Sequence, residues 1–323
     1  ENVGFKSIYL SGGGVANASF GLPDLGMTSL NDVLEDVKRI SGACNLPLLV
    51  DIDTGWGGAL NIAKTIKDMT RSGAAGAHIE DQVTQKRCGH RPNKEIVSCG
   101  EMEDRIKAAV DAKLDEIVVF LSASESHNKK NVNRSVKDSL LGFKEIADIA
   151  GKNNIPIQGD IATAFGCPFE GNVSAKRLAE ISKEYKMMGF KGVTLGDTTG
   201  MATPTVVTEA VNAIRDMVPD FDITLHFHNT RGIGLANVMT GLNLGIANYE
   251  SCFGGMGGCP FAPNATGNIC SEDLVYLLHE MGIETGINLE QLINVAKKVE
   301  TLVGHRLPGQ VMRAGPRLLK YSM

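Results

Sequence analysis

The chain has 323 residues, 43% of them hydrophobic, enough to bury the core of one large domain or two ordinary ones. Its formal charge of −5, with lysines and arginines scattered along the chain, argues against a nucleic-acid surface. No apolar run reaches the roughly 18 residues that a membrane-spanning helix needs. Seven cysteines, odd in number and without a CxxC pair, argue against a disulfide framework. A reducing compartment is expected, the cytoplasm first and the mitochondrial matrix as the alternative. The N-terminus carries no secretory pattern and reaches a strand by about Gly4, so upstream sequence is expected to be missing.

Eight short β-branched runs follow in order, at 5–10, 46–52, 77–79, 116–121, 155–161, 192–195, 223–227 and 247–253. Amphipathic stretches lie between them at 29–41, 58–72, 100–113, 135–151, 174–188, 204–217 and 232–245, and two more follow the last run at 272–283 and 289–304. Ser29 with Asp32 forms a capping pattern, and Thr203-Pro204 places a cap before a proline at the first helical position. Eight βα units at this length predict an α/β fold, a TIM (β/α)8 barrel in one domain over 1–323 with extra C-terminal helices. An open doubly wound sheet would need one run to be misassigned. In a barrel, chemistry gathers at the carboxyl ends of the strands. Ser11, Asp51, Asp53, Glu80, Asp160, Asp197, His226, His228 and Cys259 all fall there.

The first three units carry carboxylates. Asp51-Ile52-Asp53 sets two acids on one strand face, because alternate residues share a face, and Glu80 ends the next strand. An all-oxygen cluster of this kind suits magnesium held largely through water, with manganese as the alternative. Strand-end acids that merely cap loops are the competing reading. Beyond them, Lys86-Arg87-Cys88-Gly89-His90-Arg91-Pro92 gathers basic and imidazole side chains around one thiol. Such a loop can clamp a di- or tricarboxylate and lower the thiol pKa. Arg87, Cys88 and His90 are the catalytic candidates here, and Lys86 a substrate-binding one.

The last units carry imidazoles. In His226-Phe227-His228 the two rings share a strand face and suit one divalent ion with positions open for substrate oxygens; two hydrogen-bonded core histidines are the alternative. Asn268, after a glycine-dense turn, adds a candidate amide ligand. Asp197 ends a strand and either meets substrate, orients a ligand or caps its loop. Cys259 follows Gly254-Gly255-Met256-Gly257-Gly258, a stretch loose enough to move over a pocket, and a thiol there can carry a proton.

From about residue 115 to the end the chain resembles hydroxymethylglutaryl-CoA lyase. The resemblance lies in His226-Phe227-His228-Asn229-Thr230-Arg231-Gly232, in Gly254 to Gly258 with Cys259-Pro260, in Gly267-Asn268, and in Glu272-Asp273-Leu274-Val275-Tyr276. Ser122-Ala123-Ser124-Glu125, Gly166-Cys167-Pro168-Phe169-Glu170-Gly171 and Leu195-Gly196-Asp197-Thr198 agree with it. It implies a TIM barrel that cleaves 3-hydroxy-3-methylglutaryl-CoA to acetyl-CoA and acetoacetate. His226, His228 and Asn268 would be metal ligands, Cys259 a mobile-loop catalytic thiol and Asp197 an active-site carboxylate. Asn229 stands where that family usually has Asp.

Residues 3–114 instead resemble 2-methylisocitrate lyase, of the isocitrate lyase and phosphoenolpyruvate mutase group. The matching pieces are Tyr9-Leu10-Ser11-Gly12-Gly13-Gly14, Leu49-Val50-Asp51-Ile52-Asp53-Thr54-Gly55, His78-Ile79-Glu80-Asp81-Gln82 and Lys86-Arg87-Cys88-Gly89-His90-Arg91-Pro92-Asn93-Lys94. This resemblance implies that Asp51, Asp53 and Glu80 surround magnesium, that Ser11, Gly12 and Gly13 contact a substrate carboxylate, and that Cys88 is a lid-loop acid.

Two partial patterns therefore meet near 110–115, a methylisocitrate lyase-like part at 1–114 and a hydroxymethylglutaryl-CoA lyase-like part at 115–323. The chain is expected to be a chimera of three strands plus five. The second family's opening strand, with its catalytic arginine and fourth metal ligand, is absent, and Asp51 or Asp53 would have to replace that ligand. The expected function is hydroxymethylglutaryl-CoA cleavage by a metal-dependent carbon–carbon lyase of impaired activity. The alternatives are methylisocitrate cleavage to pyruvate and succinate, or a folded scaffold without native activity. The expected partner is an acyl-CoA or tricarboxylic acid, with no nucleic acid and no membrane; a homo-oligomer is compatible with these readings.

Overall fold

The structure is a computed structural model that describes residues 1–88, 94–112, 116–257 and 266–320. All eight expected strands are present: β1 (Ile8–Leu10), β2 (Leu48–Asp51), β3 (Ala74–His78), β4 (Ile117–Ser122), β5 (Ile157–Ala162), β6 (Gly192–Gly196), β7 (Asp222–His226) and β8 (Asn248–Glu250). In chain order the helices are α1 (Gly12–Gly14), α2 (Leu30–Ala43), α3 (Ala59–Arg71), α4 (Cys99–Asp111), α5 (Glu125–Val132) and α6 (Val136–Lys152). They continue with α7 (Ala175–Met187), α8 (Pro204–Met217), α9 (Gly234–Asn243), α10 (Ser271–Glu280), α11 (Leu289–Val303) and α12 (Val311–Ala314). The caps expected from sequence form. Ser29 and Asp32 make a reciprocal capping box on α2, and Thr203 accepts from the Val206 N–H at the start of α8.

Three short helices escaped the periodicity: α1, which runs on into a π-helical turn at Val15–Ser19, α5 and α12. Three glycines are poor helix formers, and α5 carries almost no apolar side chain. Both are fixed locally by N-caps, Ser11 on the Gly14 N–H and Ser124 on the His127 N–H. No helix among the described residues is long and apolar enough to cross a membrane.

Every strand pairing is parallel, but the wall is divided. β1, β2 and β3 form one sheet and β4 to β8 form another. Among the described residues no ladder joins β3 to β4 or β8 to β1. The molecule is thus a (β/α)8-type arrangement in two arcs of three and five strands, divided between β3 and β4. Each arc has its own apolar core. Leu48, Val50 and Ile52 pack with Val33, Val37 and Ile62 on the helix side of the first, and Val119, Leu121, Ile161 and Leu195 with Val136 and Ile214 in the second. Helix α4 covers the seam: its Ala109 belongs to the first core and its Ile106 and Val110 to the second.

The faces turned away from the helices behave differently. Tyr9 and Leu49 are in register and are 51% and 42% exposed; Val118 and Phe120 on β4 are 64% and 37% exposed. In a closed barrel such inward positions fill packed layers. The divided wall leaves them open. Val118→Ser is therefore expected to change the unfolding free energy by less than about 0.5 kcal/mol, whereas fully buried Leu121→Ala should cost about 2–5 kcal/mol. Urea denaturation of both variants decides the point; comparable losses would mean that the lumen is closed and packed.

Candidate functional site

The imidazole pair is set by β7. Phe227 is fully buried in the core of the five-stranded arc, its ring 5.7 Å from that of Phe165. Its neighbours in the chain must then face the lumen, and the His226 and His228 rings stand 5.3 Å apart. Each ring is held through Nδ1. His226 Nδ1 lies 2.7 Å from Glu250 Oε2, and His228 Nδ1 lies 3.2 Å from the Thr266 carbonyl oxygen. A carboxylate and a carbonyl only accept, so both Nδ1 atoms donate, and Nε2 is left as an acceptor whenever the ring is neutral.

Asn268 is brought alongside by a backbone bridge to His228, supported by donation from Asn229 N–H to the Gly267 carbonyl at 3.0 Å. Its Nδ2 donates to the Met256 carbonyl at 2.8 Å, while its Oδ1 is buried without a partner among the described residues. Asp197 lies beside β7, its N–H donating to the His226 carbonyl at 2.8 Å. Its Oδ1 accepts from Met201 and Ala202 N–H at 2.7 and 3.0 Å, and its Oδ2 is buried with no partner among the described residues. Of the readings open for Asp197, the structure shows loop capping through Oδ1, while Oδ2 has no partner among the described residues.

Burial governs the electrostatics of this rim. It pushes Asp197 up to about 7, against the pull of the two N–H donors. Asp160, one register layer lower on β5, is raised to about 7 by burial and by the nearby Glu250 charge. Burial and the charge on His226 lower His228 to about 4, so its ring is neutral at pH 7. Burial also works to lower His226, but the bond to Glu250 outweighs it and the net shift is upward.

Two imidazole nitrogens and an orphaned amide oxygen fit a divalent ion. No cluster of three or more His, Cys, Asp or Glu side chains able to hold a metal forms among the described residues. The expected completion by Asp51 or Asp53 does not occur, because both are committed elsewhere. Asp51 accepts from Gly12 N–H at 3.2 Å and from Asp53 N–H at 3.0 Å, and Asp53 bonds the Lys86 ammonium.

Lys86 also corrects the first half. Its side chain is buried, not free to clamp a substrate, and its Nζ bridges Asp53, Asp24 (2.9 Å) and Glu80 (3.7 Å). Among the acids expected to surround magnesium there already stands an internal cation, so this donor set does not fit a metal. Burial opposes the Lys86 charge, but the surrounding carboxylates outweigh it and raise the pKa. Burial raises Glu80 to about 7, with Lys86 pulling the other way. The glycine turn is likewise engaged. Gly12 N–H serves Asp51, Ser11 Oγ caps the Gly14 N–H at 3.3 Å, and the Gly13 carbonyl accepts from Asn17 at 2.8 Å. A Cβ on Gly12 would lie 2.9 Å from Asp53 Oδ1, so a larger residue there would push the Asp53 carboxylate aside. Arg87 is exposed, with its N–H on Gln82 Oε1 at 3.0 Å, and Cys88 is half-buried. His90 and Cys259 lie outside the described residues.

Glu250 and Asp24 were not anticipated. Glu250 shows in sequence only as one acid in a strand, until β7–β8 register sets it opposite His226. Asp24 meets Lys86 across 62 positions, with no local signal.

Against known proteins, the HMGL-like family model matches residues 73–299. The chain belongs to the HMGL-like family. The phosphoenolpyruvate phosphomutase model matches residues 1–124, so a segment of that second kind is fused ahead of the HMGL-like part. The hydroxymethylglutaryl-CoA lyase of Bacillus subtilis is 40% identical over 205 residues, 64% of this chain and 69% of that protein. The 2-methylisocitrate lyase of Vibrio cholerae is 56% identical over 149 residues, 46% of this chain and 48% of that protein. The chain thus spans about half the length of the second relative. The structure of an HMG-CoA lyase from Acinetobacter baumannii, in complex with coenzyme A and 3-methylmalate, superposes with a TM-score of 0.69 at 27% identity, covering 100% of this chain and 99% of that one. The HMGL-like match thus takes in β3 to β8, and the phosphoenolpyruvate phosphomutase match takes in β1 to β4.

Removing the internal cation should be costly. Lys86→Met leaves Asp24, Asp53 and Glu80 facing one another and is expected to lower stability by about 3–5 kcal/mol, the usual penalty for stranding buried partners. Added Mg2+ should restore part of that loss in urea titrations. A variant as stable as wild type would show that the ammonium does not neutralise this cluster.

Proposed function

We propose that the chain is a divalent-metal-dependent carbon–carbon lyase acting on 3-hydroxy-3-methylglutaryl-CoA, with acetyl-CoA and acetoacetate as products. The observation that carries this reading is the rim of β6 and β7, where Asn268 Oδ1 and Asp197 Oδ2 are buried without partners among the described residues, beside two imidazoles held through Nδ1. Buried polar atoms are rarely left unsatisfied in a native fold, and orphans grouped at one rim mark a place built for a ligand. The 40% identity to a hydroxymethylglutaryl-CoA lyase supports the choice of substrate.

His226, His228 and Asn268 would hold magnesium or manganese, which when bound polarises the substrate hydroxyl and carbonyl oxygens. The chain's own groups handle the proton. Asp197 is fixed through Oδ1, so Oδ2 is positioned to accept the proton of the tertiary hydroxyl as the adjacent carbon–carbon bond breaks. The bonding pair passes to the thioester fragment, whose α-carbon then takes a proton; the Cys259 thiol is the proposed donor. The Arg231 side chain donates to the Thr199 and Gly200 carbonyls at 2.9 and 2.8 Å and so holds the Asp197 loop rather than the substrate.

A second reading is favoured by one observation. The carboxylates proposed to complete the metal shell are engaged with Lys86 and with Gly12 and Asp53 N–H. A chain so equipped binds metal without turning over. The test is release of acetoacetate from hydroxymethylglutaryl-CoA and of pyruvate from 2-methylisocitrate, assayed with Mg2+ or Mn2+ alongside bound-metal analysis. Acetoacetate release is expected, and His228→Ala should reduce kcat/KM on the order of 10²-fold or more, since charge stabilisation by a bound ion is worth several kcal/mol. Pyruvate without acetoacetate sinks the primary reading in favour of the methylisocitrate reaction; bound metal without either product leaves the second.

A further inference from the structure

The two imidazoles of the rim are held by unlike devices. His228 rests on a backbone carbonyl, which any residue at 266 would supply, whereas His226 rests on a side-chain carboxylate from the neighbouring strand. We propose that Glu250 is a positioning residue that fixes His226 as a metal ligand, an inference that rests on the metal reading above. The register of β7 and β8 puts Glu250 directly opposite His226, with Thr224 opposite Asn248 and Leu225 opposite Tyr249. At 2.7 Å the contact lies at the short end expected of a charge-assisted bond. A carboxylate on Nδ1 fixes the tautomer, sets the ring plane and makes Nε2 a stronger donor to a metal ion.

A purely structural role accounts poorly for this pair. Glu250 is half exposed, and exposed ion pairs contribute little to stability. The backbone at both positions is already held by the strand ladder. The other acids near the ring do not substitute for it. Asp160 and Asp197 act on His226 only through space, and Asp197 Oδ1 is spent on its own loop.

The test measures Mn2+ binding by electron paramagnetic resonance on the full chain, for wild type, Glu250→Ala, Glu250→Asp and His226→Ala. Glu250→Ala is expected to bind about 10- to 100-fold more weakly, the usual loss when such a carboxylate is removed. Glu250→Asp should recover most of that affinity. The metal-free melting temperature of Glu250→Ala should stay at the wild-type value, and the 15N spectrum of His226 should show loss of the single Nδ1–H tautomer. Wild type that binds Mn2+ and Glu250→Ala that binds it equally well overturn the inference while the metal reading stands. Weaker binding with an unchanged tautomer and a fallen melting temperature also overturns it. A wild-type chain that binds no Mn2+ overturns the metal reading, and the inference with it.

Discussion

Phe227 is the residue on which the rim depends. A strand has two faces, and a large ring fully buried in one of them obliges both flanking side chains to occupy the other. His226 and His228 converge because Phe227 has no alternative place to go. Parallel register then determines what they meet. β6 lies on one side, with Asp197 just beyond its end, and β8 on the other, with Glu250 opposite His226. Past the strands, an isolated antiparallel bridge between His228 and Asn268 brings the amide alongside.

Much of this was legible in the chain because period and position are local properties. The eight strands, the nine long helices and the Ser29 and Thr203 caps all follow from residues within a few positions of one another. His226, His228, Asn268 and Asp197 converge as the strand-end rule predicts. What sequence could not supply were pairings between distant residues. Lys86 was expected to face a substrate because its neighbours are basic. Its burial among Asp24, Asp53 and Glu80 depends on a contact 62 positions away and on a cluster formed by two strand ends. Glu250 was missed for the same reason, since register between strands is not written in either strand alone. The short helices α1 and α5 were missed because capping rather than periodicity holds them.

The division of the wall goes with a division of the core. Each arc carries side chains matched to its own helices, so each closes a core of its own, and α4 touches both because it lies at the seam. What the two arcs lack, among the described residues, is a ladder between their edges. Without ladders between β3 and β4 or between β8 and β1 among the described residues, the lumen keeps Val118, Phe120, Tyr9 and Leu49 exposed. A fold can survive this because helix-side burial stabilises each arc separately. A site spanning both arcs is far less tolerant, since useful geometry is lost within about 1 Å.

That asymmetry separates the two rims. In the three-stranded arc Asp24, Asp51, Asp53 and Glu80 are answered from within, by Lys86, by Gly12 and Asp53 N–H or by Gln82, and a saturated cluster has no residual demand for a ligand. In the five-stranded arc the acceptors Asn268 Oδ1 and Asp197 Oδ2 at the β6–β7 rim remain without partners among the described residues. Buried acceptors without partners carry a desolvation cost that folding alone does not recover. A ligand at the β6–β7 rim would offset that cost, whereas the paired cluster of the first arc makes no such demand.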